Sequence, residues 1–278
     1  MARPVARSLE GRLLASVVTP HSPKLVDPAD VPLYARGIRA GAEALGAAVR
    51  ALGPDLLVVE SSHWASPFLW FVGADPQHRG VCRDPDASRT LDLPYDRPGD
   101  PPFAAALVDG LRGAGMPVSS TTDLAWDYGS AVPLHLIDPE NRLPAVLVST
   151  CLLGSLDDGL RLGRLVRQTA ETLGRRAVFV ASTAFAARMV RGPRAWSPEA
   201  ALAVDQEFLR LVLNGDIAAA KAALPAYAEA SGVEMGGRPL AAFLGALDET
   251  AERYRGERFG EYGAIAGSGH VSIAVLPQ

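Results

Sequence analysis

The amino-acid sequence predicts an α/β protein in which a central, mostly parallel sheet is flanked by helices and completed by C-terminal strands. Short apolar runs of strand length alternate with longer segments of helical spacing, and turn-forming residues lie at the junctions. The chain has 278 residues, of which 48% are hydrophobic and 21% charged, a balance that supports a large core. We therefore expect a single domain over residues 1–278.

The N-terminal part of the chain shows the β–α–β repeat of a parallel sheet. The apolar run Leu13 to Val18 predicts a buried strand, and the prolines that follow it prevent its continuation. Apolar residues at helical spacing between Val31 and Leu52 predict a helix that Gly53-Pro54 terminates. Asp55 to Glu60 then predicts a second buried strand. A strand, a helix and another strand favour a right-handed crossover within one parallel sheet.

The same alternation continues toward the C-terminus after an interruption. The stretch Asp75 to Pro102 is rich in Asp, Pro and Gly, and it predicts a long surface excursion that carries Tyr95. The later segments predict helices at Phe103 to Leu111, Leu156 to Leu173, Pro198 to Leu213 with Ser197 as N-cap, a further stretch to Ala230, and Pro239 to Leu247. They also predict strands at Val146 to Ser149 and Ala177 to Ser182. The chain should close with a hairpin within Ala264 to Leu276.

Composition excludes several classes of protein. The net charge is −4, the pI is about 5.8 and the arginines are scattered, so we expect no nucleic-acid partner. The two cysteines, Cys82 and Cys151, show no CxxC spacing, which argues against a disulfide framework or a thiolate zinc site. The basic N-terminal residues precede no apolar segment, and no apolar run approaches the roughly 18 residues of a membrane span. These features predict a cytoplasmic protein.

Three residues on separate predicted loops could bind one metal ion. His21 and His63 each follow a predicted strand, at the sheet edge where open α/β proteins bind ligands. Glu234 lies in the glycine-containing segment 232–237. Two imidazoles and one carboxylate can occupy one face of an octahedral ferrous ion and leave the other positions open. The competing interpretation is that His21 caps a loop, His63 packs at a strand end and Glu234 is a surface acid.

Five segments, in order along most of the chain, resemble the class III extradiol ring-cleaving dioxygenases. This superfamily includes the protocatechuate 4,5-dioxygenase beta subunit and the DOPA extradiol dioxygenases. The segments are Val17 to Pro23, Val59 to Trp64, Tyr95 to Asp100, Asp127 to Leu134, and Glu234.

The resemblance implies a ligand set, a cofactor and partners. It makes His21, His63 and Glu234 ligands of an Fe(II) cofactor, with a catechol or aminophenol-like ring and O2 as substrates and a role in aromatic compound catabolism. Because proteins of this superfamily commonly form dimers, it also implies a homodimer or a heteromer with a homologous subunit.

Two departures from the family pattern concern proton transfer. Tyr128 stands where the Asp-x-Gly motif usually has a histidine, and Ala187 stands where a later Ser-His pair ends. Histidine titrates near neutrality, whereas tyrosine has a reference pKa of about 10. Tyr128 could still donate a hydrogen bond to bound oxygen. His135 is the first candidate to replace the missing histidine and His270 the second, although either could simply be a packed or exposed side chain.

These observations support three hypotheses about function. The leading one is an extradiol dioxygenase with altered proton-transfer residues. The second is a catalytically impaired or non-catalytic subunit that binds metal or pairs with an active homologue. The third is a metal-dependent enzyme that uses the same ligands for a different reaction. The ligand triad favours catalysis, and the missing histidine favours the second hypothesis.

Overall fold

The computed structural model describes residues 11–84, 91–187 and 197–278. Its strands are β1 (Arg12–Thr19), β2 (Leu56–Ser66), β3 (Trp70–Gly73), β4 (Gln77–Asp84), β5 (Leu91–Pro98), β6 (Val118–Thr121), β7 (Ala145–Cys151), β8 (Arg176–Ser182), β9 (Tyr254–Ile265) and β10 (Ser268–Pro277). Its α-helices are α1 (Arg36–Ala51), α2 (Pro101–Gly113), α3 (Tyr128–Ile137), α4 (Leu156–Thr172), α5 (Pro198–Asn214), α6 (Ile217–Ser231) and α7 (Arg238–Gly245). The N-terminal residues 1–10, in which the sequence predicts no export signal, lie outside the described residues.

One large mixed sheet organises the fold. It has eight strands in the order β6-β3-β7-β2-β8-β1-β10-β9. The central strands β7, β2, β8 and β1 are parallel, as is the β3–β6 pair. The sheet becomes mixed where β3 joins β7 and where the β9–β10 hairpin joins β1. The predicted α/β fold, with a mostly parallel central sheet, flanking helices and C-terminal strands, is confirmed.

Helices cover both faces of this sheet, which explains why its central strands contain continuous apolar runs. In β8, Ala177, Phe179 and Ala181 face the core beneath α2 and α4 to α7, whereas Val178 and Val180 face the core beneath α1 and α3. All five side chains are fully buried. A strand buried on both faces shows a continuous apolar run instead of a polar alternation. The predicted strands were recognisable for this reason.

The segment expected to be a surface excursion is a second, two-stranded sheet. Strands β4 and β5 pair in antiparallel fashion, and Tyr95 is buried, with its ring stacked on Trp126 at a centroid distance of 4.2 Å. In β5, Leu91, Leu93 and Tyr95 are buried while the residues between them are exposed. The expectation was wrong because aspartates and a proline occupy exposed positions of β5, so that the composition of the segment resembled that of a loop although its burial alternates regularly.

Helix α1 begins later than expected. Its first residue is Arg36, since Pro32 precedes a 3₁₀ turn at Leu33–Ala35 instead of entering the helix. The start of α5 is as predicted, because the Ser197 side chain accepts a hydrogen bond from the amide of Ala200 at 3.2 Å. Both cysteines are buried, and neither forms a disulfide with another described residue. Among the described helices, none is both long and apolar enough to cross a bilayer.

Candidate metal centre

His21, His63 and Glu234 converge at the carboxyl-terminal edge of the sheet. The Nε2 atoms of the two histidines are 3.0 Å apart, and Glu234 Oε1 lies 3.3 Å from His63 Nε2 and 3.5 Å from His21 Nε2. The three candidate ligand atoms lie within 4.8 Å of one another. In the part of the chain that the structure describes, this is the one group of three or more His, Cys, Asp or Glu side chains with this geometry.

His21 reaches the site directly from β1. The strand ends at Thr19, which pairs in parallel register with Ser182 of β8, and the chain turns at Pro20. The imidazole is 5% exposed and its Nδ1 has no hydrogen-bond partner. Its Nε2 faces the other two candidate ligands from a buried position.

His63 lies within an irregular extension of β2, although the sequence placed it just beyond the strand. Pairing with β7 shifts between Ser61 and Ala65, so the residues between them bulge from the regular ladder. Ser61 Oγ accepts hydrogen bonds from the amides of His63 at 3.2 Å and Trp64 at 3.3 Å. A bulge re-aims side chains and is a common device beside functional sites. Here it turns His63 toward His21.

Glu234 is presented by a short left-handed turn. The three residues after it, Met235, Gly236 and Gly237, have φ angles of 53°, 60° and 80°. The Glu234 Oε2 atom accepts hydrogen bonds from the Ala184 amide at 2.8 Å and from Thr183 Oγ1 at 3.3 Å. The Oε1 atom faces the histidines. One carboxylate oxygen is thus anchored to the protein, and the other remains available to a metal.

The electrostatics of the site favour an ionised carboxylate. Burial raises the pKa of Glu234, but the charge of His21 and the hydrogen bonds to His21 and His63 outweigh burial and hold this pKa well below its ordinary value. Metal ligation requires a deprotonated carboxylate and neutral imidazoles, so a bound cation would replace the histidine charge as the partner of Glu234. The donor set of two imidazole nitrogens and one carboxylate oxygen fits a first-row divalent metal with open coordination positions.

Two further aromatic side chains border the candidate ligands. The ring of Tyr128, the first residue of α3, lies 4.1 Å from the ring of His63. The ring of His270, on β10, lies 6.1 Å from that of His21 in an edge-to-face arrangement. Burial and the neighbouring charge of His21 lower the pKa of His270 to about 3, so this imidazole is neutral at physiological pH.

The structure does not bring His135 to the candidate ligands. His135 follows Tyr128 by seven residues in α3, which places it about 10 Å further along the helix axis. Its pKa is lowered by burial and by the charges of Arg39 and Arg97, and is raised by Glu43. Two of these three charged residues, Arg39 and Glu43, lie on α1, so His135 lies in the packing between α1 and α3. Of the two candidates for the missing histidine, only His270 lies beside the triad.

The residues that hold the ligands in place were not recognised from the sequence. Ser61 supports the β2 bulge, Asp127 accepts a hydrogen bond from Ser61 Oγ at 2.7 Å, and Thr183 and Ala184 anchor Glu234. Their roles depend on contacts between distant parts of the chain. The one local signal is Asp127, whose side chain caps α3 by accepting from the Ser130 amide at 3.0 Å.

The fold and the site together define an α/β protein with a candidate site for one metal ion, formed by two imidazoles and one carboxylate at the edge of the sheet. A model of one family, described as the catalytic LigB subunit of aromatic ring-opening dioxygenase, matches residues 15–276. The chain therefore belongs to the LigB family of aromatic ring-opening dioxygenases.

Two curated relatives and one solved structure are similar to this chain. It is 30% identical over 189 residues to the 2-aminophenol 1,6-dioxygenase beta subunit of a Pseudomonas species, an alignment that covers 62% of each chain. The chain thus spans less than two thirds of that relative's length. It is 25% identical over 239 residues to the alpha subunit, covering 81% of this chain and 85% of that subunit. A crystal structure of an uncharacterized Escherichia coli K12 protein matches with a TM-score of 0.65 at 20% identity, covering 94% and 99%, and supports the fold alone.

Proposed function

We propose that this chain is a non-haem Fe(II)-dependent extradiol dioxygenase that cleaves a catechol or aminophenol-like ring with O2. The convergence of His21 Nε2, His63 Nε2 and Glu234 Oε1 within 4.8 Å is the observation that carries this proposal. Family membership supports ring opening as the reaction, and the names of the relatives support an aminophenol or catechol as the substrate class.

The three side chains would hold the iron, and the surrounding protein would orient the ring. A ferrous ion bound here would supply the path for electrons between an aromatic ring and dioxygen. Tyr128 is the nearest aromatic neighbour of His63, so we assign it contact with the substrate. Of the two candidates to replace the missing family histidine, we choose His270, because its ring lies beside that of His21 whereas His135 lies in the packing between α1 and α3.

We further propose that the chain works as part of a dimer or of a heteromer with a homologous subunit. Support comes from its similarity to both the alpha and the beta subunit of one enzyme, 2-aminophenol 1,6-dioxygenase. A second candidate function is that of a metal-binding but catalytically impaired subunit. The alanine at position 187, where the family pattern has a histidine, favours this candidate.

Anaerobic reconstitution with ferrous iron, followed by oxygen uptake and absorbance scans over catechols and 2-aminophenols, tests the proposal. We expect oxygen uptake and a new yellow product with the wild-type chain and neither with Glu234→Ala. Glu229→Ala, a change at an exposed glutamate of α6, serves as the matched control. Iron binding without turnover would instead support the impaired-subunit candidate, and a chain that binds no iron would contradict both.

A further inference from the structure

We propose that Asp205 is a positioning residue for Glu234, acting through residues 183–187, the segment that follows β8. This inference rests on the proposed metal site and concerns a side chain that does not itself contact the candidate ligands. Asp205 lies on α5 and is fully buried.

Four hydrogen bonds fix the Asp205 carboxylate between three elements. Tyr227 of α6 donates to Oδ1 at 2.6 Å, and Tyr262 of β9 donates to Oδ2 at 2.6 Å. The amide of Ala186 donates to Oδ1 at 3.0 Å and to Oδ2 at 3.1 Å. Asp205 thereby connects α5, α6 and β9 to the segment after β8.

The segment after β8 transmits this anchoring to Glu234. The Ala184 amide, two residues before Ala186, donates to Glu234 Oε2 at 2.8 Å. The same segment is tied to β10, because the Phe185 amide donates to the Gly269 carbonyl at 2.9 Å and the Gly269 amide donates to the Ala186 carbonyl at 2.8 Å. A shift of Ala186 therefore moves the donor that orients Glu234.

The packing around Gly269 gives a second, independent link to the site. A Cβ atom at this position would lie 1.8 Å from the Tyr262 hydroxyl and 2.9 Å from Asp205 Oδ2, so only glycine fits against the cluster. Gly269 immediately precedes His270, whose ring borders His21. Asp205 and Tyr262 thus define the position of β10 beside the site as well as that of Glu234.

The burial of the Asp205 carboxylate costs free energy of folding that an apolar side chain at this position would not cost. Burial raises its pKa, and the hydrogen bonds from Tyr227, Tyr262 and Ala186 only partly offset this rise. A buried charge is often less stable than a well-packed apolar side chain of similar volume. The four directed hydrogen bonds give what an apolar side chain cannot, namely a fixed position for the Ala186 amide.

Cobalt(II) binding to the full chain tests the inference without requiring ring cleavage. We expect Asp205→Asn to raise the Kd for cobalt by about tenfold, as outer-shell changes at metal sites do. The visible absorption bands of the bound cobalt should change with it. Glu207→Gln, at an exposed glutamate of the same helix, is the control and should leave both unchanged. A Kd for Asp205→Asn within about twofold of the wild-type value would overturn the inference.

Two further measurements keep the test decisive. Hydrogen exchange of metal-free protein should show faster exchange of the Ala184 and Ala186 amides in Asp205→Asn than in Glu207→Gln, and equal exchange would overturn the inference. If Asp205→Asn fails to fold, Tyr262→Phe removes one hydrogen bond and keeps the ring, and an unchanged cobalt Kd in this variant would overturn it. A wild-type chain that binds cobalt but cleaves no ring contradicts the proposed reaction alone, whereas one that binds no cobalt contradicts both proposals.

Discussion

Ser61 and Asp127 join the irregular part of β2 to the first turn of α3. The Ser61 hydroxyl donates to Asp127 Oδ1 at 2.7 Å while accepting hydrogen bonds from the amides of His63 and Trp64. Asp127 caps the helix that begins with Tyr128. One serine therefore fixes the position of His63 relative to Tyr128, which links a candidate ligand to a proposed substrate contact.

Removal of this hydroxyl should weaken both the fold and the metal site. We expect Ser61→Ala to lower the free energy of unfolding by about 1–3 kcal/mol, because the amides of His63 and Trp64 lose their acceptor and Asp127 Oδ1 loses one of its two donors. The cobalt Kd should rise as well. Urea unfolding and cobalt titration measure the two effects, with the exposed Ser120→Ala as control. Unaltered cobalt affinity would show that the bulge keeps its shape without Ser61.

Glu60 should make stability depend on pH in a defined direction. This carboxyl is 1% exposed, accepts a hydrogen bond from Thr150 Oγ1 at 3.1 Å, and has no partner for Oε2. Burial raises its pKa from 4.5 to about 8, against the lowering effects of Thr150 and Arg238. Because the pKa is higher in the folded chain than in the unfolded one, protonation of Glu60 contributes to the free energy of unfolding. This contribution is complete below pH 4.5 and is lost as the pH rises through about 8.

Glu60→Gln removes the titrating group and should flatten this dependence. The stability of the wild-type chain relative to Glu60→Gln should fall, by an amount on the order of a few kcal/mol, as the pH rises across that interval. Urea unfolding of both proteins at several pH values measures the difference, with the exposed Glu229→Gln as control. Parallel pH profiles for the wild type and Glu60→Gln would contradict a neutral Glu60.

The two histidines proposed to replace the missing family residue should behave differently. We expect His270→Ala to lower kcat by at most about 10²-fold, because a neutral imidazole that can donate or accept a hydrogen bond is lost beside the site, and His135→Ala to leave kcat within about twofold. The reason is that only His270 has its ring beside a candidate ligand. Steady-state kinetics on the substrate found by oxygen uptake, with iron content measured for each variant, distinguishes them. The reverse pattern of losses would show that α3 supplies the group.

The left-handed turn after Glu234 should be sensitive to an added Cβ. Gly237 has a φ of +80°, and a Cβ there would lie 3.2 Å from Val233 Cγ1. We expect Gly237→Ala to lower the free energy of unfolding by about 1–2 kcal/mol, because alanine is disfavoured in this region, and to weaken cobalt binding. Gly113→Ala is the control, since its Cβ would meet nothing within 4 Å. Thermal unfolding and cobalt titration test both, and equal stability of the two variants would contradict a requirement for glycine.

The sequence was informative where local pattern determines structure. The strand and helix runs of the central sheet and the Ser197 cap could be predicted, because periodicity and capping are properties of short segments. The three candidate ligands were favoured over ordinary loop residues by the resemblance of five segments to a known family. The β4–β5 sheet was missed since prolines and aspartates obscure its alternation. Asp205 carries no local signal, as its hydrogen-bond partners lie 19 to 57 positions away, and Ser61 is joined to Asp127, which lies 66 positions away. The sequence ranked His135 before His270 because His135 is nearer to Tyr128 along the chain, whereas in the fold it is the His270 ring that lies beside a candidate ligand.

The anchoring of Glu234 Oε2 by Thr183 and Ala184 sets an upper limit on how many coordination positions the protein can fill. A carboxylate that chelated a metal through both oxygens would have to release these two donors. We therefore expect that Glu234 would offer one oxygen to a metal, so that the chain would contribute three donor atoms. A metal held by these three side chains would therefore keep positions open for molecules from solution, as the proposed reaction of an aromatic ring with dioxygen would require.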